Sequence, residues 1–344
     1  MSGAKLIFLK NFSEAEGIAD PNQALVIYDQ RLQRVSREFQ SWLERFPFRY
    51  AVRSGEALKD LDAFADHAKK ISEIASSLPS RRMSVIAAGG GSVGDFAGFF
   101  ASVYKRGVPL LHMPSTWLAA VDSSHGGKTA LNVNGVKNQL GTFYPAERVV
   151  LVRSLLESQP VERAQEALAE LGKIALIDGG SWTRELERTR LKNERLIWKF
   201  LPPAIESKLK IVRRDPREVN GIRQVLNLGH TIGHVLESAH GWAHGRAVGQ
   251  GLFFALDFSL NRKMLSESEA ARARALLEGP CGLKRETPKP IAERTFRSLL
   301  IQDKKREARD EVTFIFLKRI GRVERVPVPV DEIVHEARRQ GLVR

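Results

Sequence analysis

The sequence predicts an α/β N-terminal domain with a mostly parallel sheet, residues 1–160, followed by a mainly α-helical C-terminal domain, residues 161–344. Three observations carry this. Short apolar runs alternate with helical patterns up to Val152, helical periodicity dominates from Pro160 to Leu300, and 344 residues suffice for two domains of roughly 100–200 residues each. A 43% hydrophobic content supplies apolar side chains for two cores.

Taken in order, Gln23 to Asp29 (QALVIYD) reads as a strand, Gln30 to Phe46 as a helix and Phe48 to Arg53 as a second strand. The segment from Ser54 to Leu78 has apolar positions at helical spacing. Met83 to Ala88 (MSVIAA) is a third buried strand that runs into Gly89-Gly90-Gly91, with a helix from Asp95 to Tyr104. Val108 to Met113 and Val149 to Val152 read as further strands. Such β-α alternation predicts parallel strands covered by helices. In the second half, Pro202-Pro203, Gly279-Pro280 and Pro288 are expected to break the helical run, and Glu311 to Leu317 with Val323 to Val328 flank Gly321 as a hairpin.

Composition narrows the class. The one cysteine, Cys281, excludes an internal disulfide and zinc-finger spacings, which fits a reducing cytoplasm. The apolar run Leu6 to Leu9 is too short for the core of a secretion signal, and no stretch approaches the about 20 apolar residues of a membrane span. A soluble, cytoplasmic protein with no membrane partner is expected. A formal net charge of +14 suits either a nucleic-acid surface or a site for a multiply anionic small molecule. The basic residues are scattered beside acids, as in TRELERTRLK, without an aromatic-interleaved stripe, so no nucleic acid is expected.

Three clusters stand out. The first, a strand followed by GGGSVGD and a helix, is the arrangement in which backbone N–H groups approach a pyrophosphate and a helix N-terminus stabilises its charge. It marks the first domain as a nucleotide-binding candidate, although it departs from G-x-G-x-x-G and a ligand-free tight turn reads equally well. Asp29, ending an earlier strand, suits a ribose hydroxyl or a helix cap.

The second cluster is NLGHTIGH, which sets His230 and His234 four apart on one helical face; His240 and His244 follow. Four of the eight histidines thus fall within fifteen residues. Thr231 stands where a hydrolytic H-E-x-x-H helix needs glutamate. An open catalytic metal site takes about three N and O ligands. Glu170, in the apolar stretch ALAELGKIALI, is a carboxylate candidate because a charge on such a face needs a partner, and Lys173 shares that face. A plain ion pair is the alternative.

In the third cluster, Ser115 to Lys128 is rich in small hydroxylated residues and glycine. With Lys137-Asn138 it suits a phosphate and a carboxylate, and these lysines are expected in or beside loops.

Read together, GGGSVGDFAGFFA, YKRGVPLLHMPSTWLAAVDSSHGGKTALN, GVKNQLGTFY, LAELGKIALI, GIRQVLNLGHTIGH, HGRAV and QDKK resemble the dehydroquinate synthase branch of the sugar phosphate cyclases, in the family's order and approximate spacing. The strings span most of residues 55 to 320, and as a set they are highly specific. The resemblance implies a dehydroquinate synthase-like fold with a metal-binding C-terminal domain. It implies Glu170, His230 and His244 as metal ligands, the metal being zinc with cobalt as the alternative. It places NAD against Asp29, Glu56, Lys59, Gly90, Gly91, Ser92, Asp95, Ser115, Thr116, Asp122, Lys128 and Ser158. It gives catalytic roles to Asp122, Lys128, Lys173, Arg223, Asn227 and His234, and substrate contacts to Lys137, Asn138, Lys208, Glu218 and one of Lys304 and Lys305. In the family, Arg106 reaches a neighbouring subunit's site, which implies a homodimer.

Similar proteins oxidise a phosphorylated sugar acid transiently with NAD, eliminate phosphate, return the hydride and close a carbocycle by an intramolecular aldol step. The chain departs from the family pattern at Arg246 (usually Glu), His125 (a small aliphatic residue), Trp117 (leucine) and Ala167 (glycine), in a shorter His230-to-His244 interval and in one residue inserted near Asn220. His240 is a reserve ligand. The competing readings are a valiolone- or inosose-type cyclase, a glycerol-dehydrogenase-like oxidoreductase, and a non-catalytic basic binding protein.

Overall fold

The structure, a computed structural model, describes residues 4–78, 83–302 and 310–344. The chain forms two compact units, Met1–Ala164 and Gln165–Arg344.

In the first unit, six strands form one sheet: β1 (Lys5–Leu9), β2 (Ala24–Asp29), β3 (Arg49–Val52), β4 (Ser84–Gly89), β5 (Leu110–Pro114) and, after an antiparallel hairpin, β8 (Arg148–Val152). Their spatial order is β1-β8-β5-β4-β2-β3, and every pairing is parallel. Parallel strands are covered on both faces, so they read as unbroken apolar runs. Accordingly, all six residues of β2 and all five of β5 are buried. Leu6 to Leu9, read from sequence only as a short apolar run, is the core of edge strand β1.

The helical stretch expected from Gln30 to Phe46 is two helices, α1 (Leu32–Val35) and α2 (Arg37–Glu44). They part at Ser36, whose hydroxyl accepts the Phe39 N–H at 3.2 Å and caps α2. One face of the sheet closes on Phe39, Trp42 and Phe46 from this region. After α3 (Leu61–Ala75), helix α4 (Gly91–Val103) starts four residues earlier than the sequence suggested, because the glycine turn forms its first turn.

After α5 (Trp117–Val121) comes the larger correction. Lys128, Lys137 and Asn138, expected in or beside loops, lie on β6 (Lys128–Val133) and β7 (Val136–Phe143), an antiparallel hairpin outside the main sheet. Its two-residue turn is Asn134-Gly135, both at positive φ (51° and 75°), the pairing that two-residue hairpins favour.

The chain leaves β8 through α6 (Arg153–Glu157) into α7 (Val161–Asp178), α8 (Ser181–Arg188) and α9 (Asn193–Arg214), then a 3₁₀ turn (Ile222–Asn227), α10 (His230–His240), α11 (His244–Asn261), α12 (Glu267–Glu278) and α13 (Glu293–Gln302). The expected hairpin is β9 (Glu311–Arg319) with β10 (Arg322–Pro329), followed by α14 (Val330–Arg339). Pro202-Pro203 do not break the helical run: both lie inside α9. A proline interior to a helix costs about 3 kcal/mol. Here Leu196, Ile197, Phe200, Leu201, Ala204, Ile205 and Leu209 form one continuous buried face across the pair, and that burial offsets the cost.

The second core is aromatic where α11 meets β9: Phe258 lies edge-on to Phe314 and Phe316, with ring centroids 5.2 and 5.0 Å apart. Cys281 is fully buried, and burial pushes its thiol pKa up to about 12. Among the described residues, no helix is long and apolar enough to cross a membrane.

Candidate active site

In the first unit the polar residues gather at the carboxyl ends of the central strands. The chain passes from β2 outward to β3 and then returns to β4 on the other side of β2, so strand order reverses between β2 and β4. Open α/β sheets bind ligands at such a reversal. Gly89, Gly90 and Gly91 lie there, and no side chain caps the α4 N-terminus. A Cβ on Gly90 would lie 3.3 Å from Thr116 Cγ2, and one on Gly91 3.4 Å from Ser123 Oγ, so the glycines keep a shallow cradle open. The Ser115 N–H bonds the Gly89 carbonyl at 2.9 Å, and the Ser92 hydroxyl accepts the Gly55 N–H at 3.1 Å. These bonds hold the cradle's walls in place.

Beside it runs a connected polar chain. The ammonium of Lys59, only 3% exposed, lies 2.7 Å from Asp95 Oδ2 and 2.6 Å from Asn138 Oδ1. Asn138 N–H reaches Asn132 Oδ1 at 2.9 Å, and Asn132 Nδ2 donates to Glu56 Oε2 at 2.9 Å. Burial raises the Asp95 pKa, and the Lys59 charge opposes that rise. Glu56, Lys59, Asp95 and Asn138 were named from sequence; Asn132, which joins them, was not.

The remaining residues of this unit vary in their roles. Asp29 is buried and held by Arg31, whose Nη2 lies 3.0 Å from Oδ2. The Thr116 hydroxyl caps α5, accepting the Ala119 N–H at 3.2 Å, and the Ser158 hydroxyl donates to the Leu155 carbonyl at 2.7 Å. Asp122 is half-buried at the end of α5, whereas Lys128 and Lys137 are exposed on the hairpin. Arg106 is exposed in a tight turn, with φ of 68° between Lys105 and Gly107. Two of the departures, Trp117 and His125, are buried; the His125 Nε2–H donates to the Ala120 carbonyl at 2.7 Å.

The second unit holds the metal-ready cluster. Glu170 on α7 is fully buried, as is Lys173 one turn on, and their charged atoms meet at 2.5 Å. His230 Nε2, at the start of α10, lies 3.3 Å from Glu170 Oε1, and His244 Nε2, at the start of α11, lies 3.5 Å from it. One donor atom from each of the three falls within 4.8 Å of the others. Burial alone would raise the Glu170 pKa; the Lys173 ammonium and then His230 hold it well below the usual carboxylate range. Burial, followed by the Lys173 charge, lowers the His230 pKa to about 4, so the imidazole is neutral near pH 7 and has a lone pair for a metal. Lys173 takes up Glu170 Oε2, while Oε1 faces both imidazole nitrogens, which leaves that oxygen placed for a cation shared with them.

Glycines bring these helices together. Gly229 takes φ +80° at the entry to α10, a Cβ on Gly251 would fall 1.9 Å from its carbonyl oxygen, and one on Gly245 would fall 2.1 Å from the Glu166 carbonyl oxygen. Each imidazole is also oriented from behind: His244 Nδ1 lies 3.1 Å from Glu237 Oε2, and His230 Nδ1 lies 3.3 Å from the Leu228 carbonyl. Such partners fix the tautomer that points Nε2 at a metal. Glu237 escaped the sequence reading.

His234, the i+4 neighbour, lies beside the cluster with its ring centroid 5.3 Å from that of His230, and the three-donor group does not include it. His240 lies tilted beside Trp242, with ring centroids 5.3 Å apart, and is likewise outside the group. Arg223 is buried, its N–H bonds Asp215 Oδ2 at 3.3 Å, and Nη1 donates to the Pro216 carbonyl at 3.4 Å. Lys208 is buried, Asn227 is half-buried and Glu218 is half-buried at φ 55°. Ala167 is buried in α7. Arg246 is exposed, forks onto Glu286 at 2.9 and 2.5 Å and lies 4.0 Å over the Trp242 ring. Lys304 and Lys305 lie outside the described residues.

Residues 49–166 match the model of the 3-dehydroquinate synthase N-terminal domain, and residues 167–306 that of its C-terminal domain. A 3-dehydroquinate synthase of Alkaliphilus oremlandii is 40% identical over 65% of this chain and 62% of its own length, so that alignment spans less than two thirds of the relative. One from Acidithiobacillus ferrooxidans is 37% identical over 88% of this chain and 82% of its own. Among solved structures, a 2-deoxy-scyllo-inosose synthase complexed with carbaglucose-6-phosphate, NAD+ and Co2+ superposes with a TM-score of 0.83 at 24% identity, covering 97% of this chain and 96% of that one.

The fold is therefore that of a sugar phosphate cyclase, with a glycine cradle in one unit and a buried Glu-His-His donor set in the other. Within that class, the chain belongs to the 3-dehydroquinate synthase family.

Proposed function

We propose that this chain converts 3-deoxy-D-arabino-heptulosonate 7-phosphate to 3-dehydroquinate and phosphate, the carbon-oxygen lyase step of the shikimate pathway that leads to aromatic amino acids. The observation that carries the reading is the buried Glu170-His230-His244 donor set, with Lys173 against it, in a chain of this family. The donor chemistry suits zinc or cobalt at Glu170, His230 and His244, and the open cradle at Gly90, Gly91 and Ser92 suits the pyrophosphate of NAD. Asp29, Glu56, Lys59, Asp95, Ser115, Thr116, Asp122, Lys128 and Ser158 complete the cofactor's surroundings.

When bound, the metal supplies Lewis acidity toward substrate hydroxyls and NAD a reversible hydride acceptor, so the net reaction is not a redox change. The protein's own groups bind and orient. Lys128 and Asn138 hold the phosphate and stabilise the anion as it leaves, joined in a homodimer by Arg106 of the neighbouring protomer. Lys137, Lys208 and one of Lys304 and Lys305 add positive charge for the phosphate and carboxylate, and Glu218 orients a hydroxyl. Arg223, braced through its N–H by Asp215, faces the carboxylate, with Asn227 and His234 fixing hydroxyls nearby. Asp122 takes part in positioning, and Lys173 keeps Glu170 ionised and donates to a substrate hydroxyl. An Arg223 braced in this way supports a carboxylate-bearing substrate over a neutral sugar phosphate.

The test combines purified protein, NAD, zinc and the heptulosonate phosphate while phosphate and dehydroquinate are followed. Failure to form dehydroquinate with folded, metallated protein would sink the reading. Glu170→Ala and His230→Ala should each lose zinc, whereas Lys128→Ala should keep zinc and lose turnover by about 10²–10³-fold.

A further inference from the structure

The segment that carries Arg223 also lines a cavity of about 540 Å³ in the second unit, within the roughly 300–1,000 Å³ of small-ligand sites. None of Glu170, Lys173, His230, His234 or His244 lines it. Four cations do: Lys210 and Arg214, one turn apart on α9, and Arg322 and Arg325 on β10. Among the described residues lining it, the single acid, Asp178, is engaged by Trp182 Nε1 at 2.7 Å and by the Gly180 N–H at 3.2 Å. Among the described residues, Lys210, Arg214 and Arg322 make no ion pair or side-chain hydrogen bond, although neighbouring Arg213 has Glu206 at 2.8 Å. Arg325 is held, among the described residues, by the Gln224 side chain alone, 3.1 Å away. Four like charges around one concavity repel one another, and a multivalent anion relieves that repulsion. Guanidinium groups match phosphate and carboxylate in particular.

We propose that this cavity binds a small polyanion carrying two or more phosphate or carboxylate groups, and that its occupancy is felt at Arg223. The link is short. A Cβ on Gly221 would fall 1.6 Å from Arg325 Nη1, so Arg325 packs directly on the turn, at φ +70°, that opens the Arg223 segment. Its hydrogen-bond partner Gln224 is the next residue after Arg223. An anion that draws Arg325 off Gln224 therefore acts on the segment holding the substrate carboxylate.

The experiment titrates the zinc- and NAD-loaded protein with inorganic pyrophosphate by calorimetry, in parallel with citrate, and repeats both with Lys210→Ala/Arg322→Ala. Wild type should bind pyrophosphate at one more site than the double variant, or at least about tenfold more tightly at that site, since two charged hydrogen-bond donors are removed. Tighter binding of pyrophosphate than citrate assigns the site to phosphates, and the reverse order to carboxylates. Basal turnover of the double variant should equal that of wild type, and pyrophosphate should shift wild-type KM while leaving the variant's unmoved beyond simple competition. Equal stoichiometry and affinity in both proteins would overturn the site, and an identical KM response in both would overturn the link to Arg223. Binding is read without turnover, so it stands apart from the outcome of the dehydroquinate assay.

Discussion

Glu237 shows what a single carboxylate does one bond removed from a donor set. It holds His244 Nδ1, so removing it should let the ring rotate while leaving all three donors in the chain. Glu237→Ala is expected to weaken zinc about 10–100-fold, read by competition with a chromophoric chelator. Unchanged affinity, with unchanged circular dichroism, would reduce Glu237 to a surface acid. Sequence pattern exposes histidines four apart, but it cannot show which nitrogen faces inward or what stands behind it. His234 illustrates the limit: periodicity alone paired it with His230, whereas the fold brings His244 to Glu170 from the next helix. Asn132 and Asp215 went unread for the same reason, since each acts on residues that only the turns around them bring close. Arg246, a departure from the family pattern, has its charge met by Glu286 and the Trp242 ring.

At the scale of elements, strands were legible where apolar runs alternated with helical patterns, but edge strand β1 was not read as one, and the β9-β10 hairpin was legible from its glycine. The β6-β7 hairpin was not, because hydroxyls, lysines and glycines dilute its alternation; Asn134-Gly135 was the available signal. Pro202-Pro203 misled in the opposite direction, since local breaking lost to the buried face of α9. Close helix contacts make their own prediction. Gly251→Ala places a methyl 1.9 Å from the Gly229 carbonyl, so α10 and α11 must separate. Overpacking of this kind costs about 1–3 kcal/mol or more, so a lower melting temperature is expected together with weaker zinc binding. Normal zinc affinity in a destabilised variant would show that the donors tolerate the shift.

For the whole molecule, the β-α alternation and the helical second half carried the fold class, while no compositional argument accounts for the net charge of +14. A few site lysines consume little of it, and the cavity under Arg325 takes four more cations. Acid stability gives a global test. Burial lowers the His112 pKa from 6.5 to about 4, so the unfolded chain takes up a proton first as pH falls. The contribution is complete above pH 6.5 and is lost progressively down to pH 4, amounting to about 3 kcal/mol. Urea midpoints at pH 7 and pH 4.5 should differ less for His112→Leu than for wild type; equal differences would mean that other groups govern acid unfolding.

The solitary, fully buried Cys281 has a further use. With its thiol pKa near 12, it presents almost no thiolate at neutral pH and stays inert to maleimides. The native chain is therefore a ready background for site-specific labelling. A cysteine introduced at Asn134, on the tip of the β6-β7 hairpin, would carry the only reactive dye on the molecule and report by fluorescence on any change at that hairpin when NAD is added.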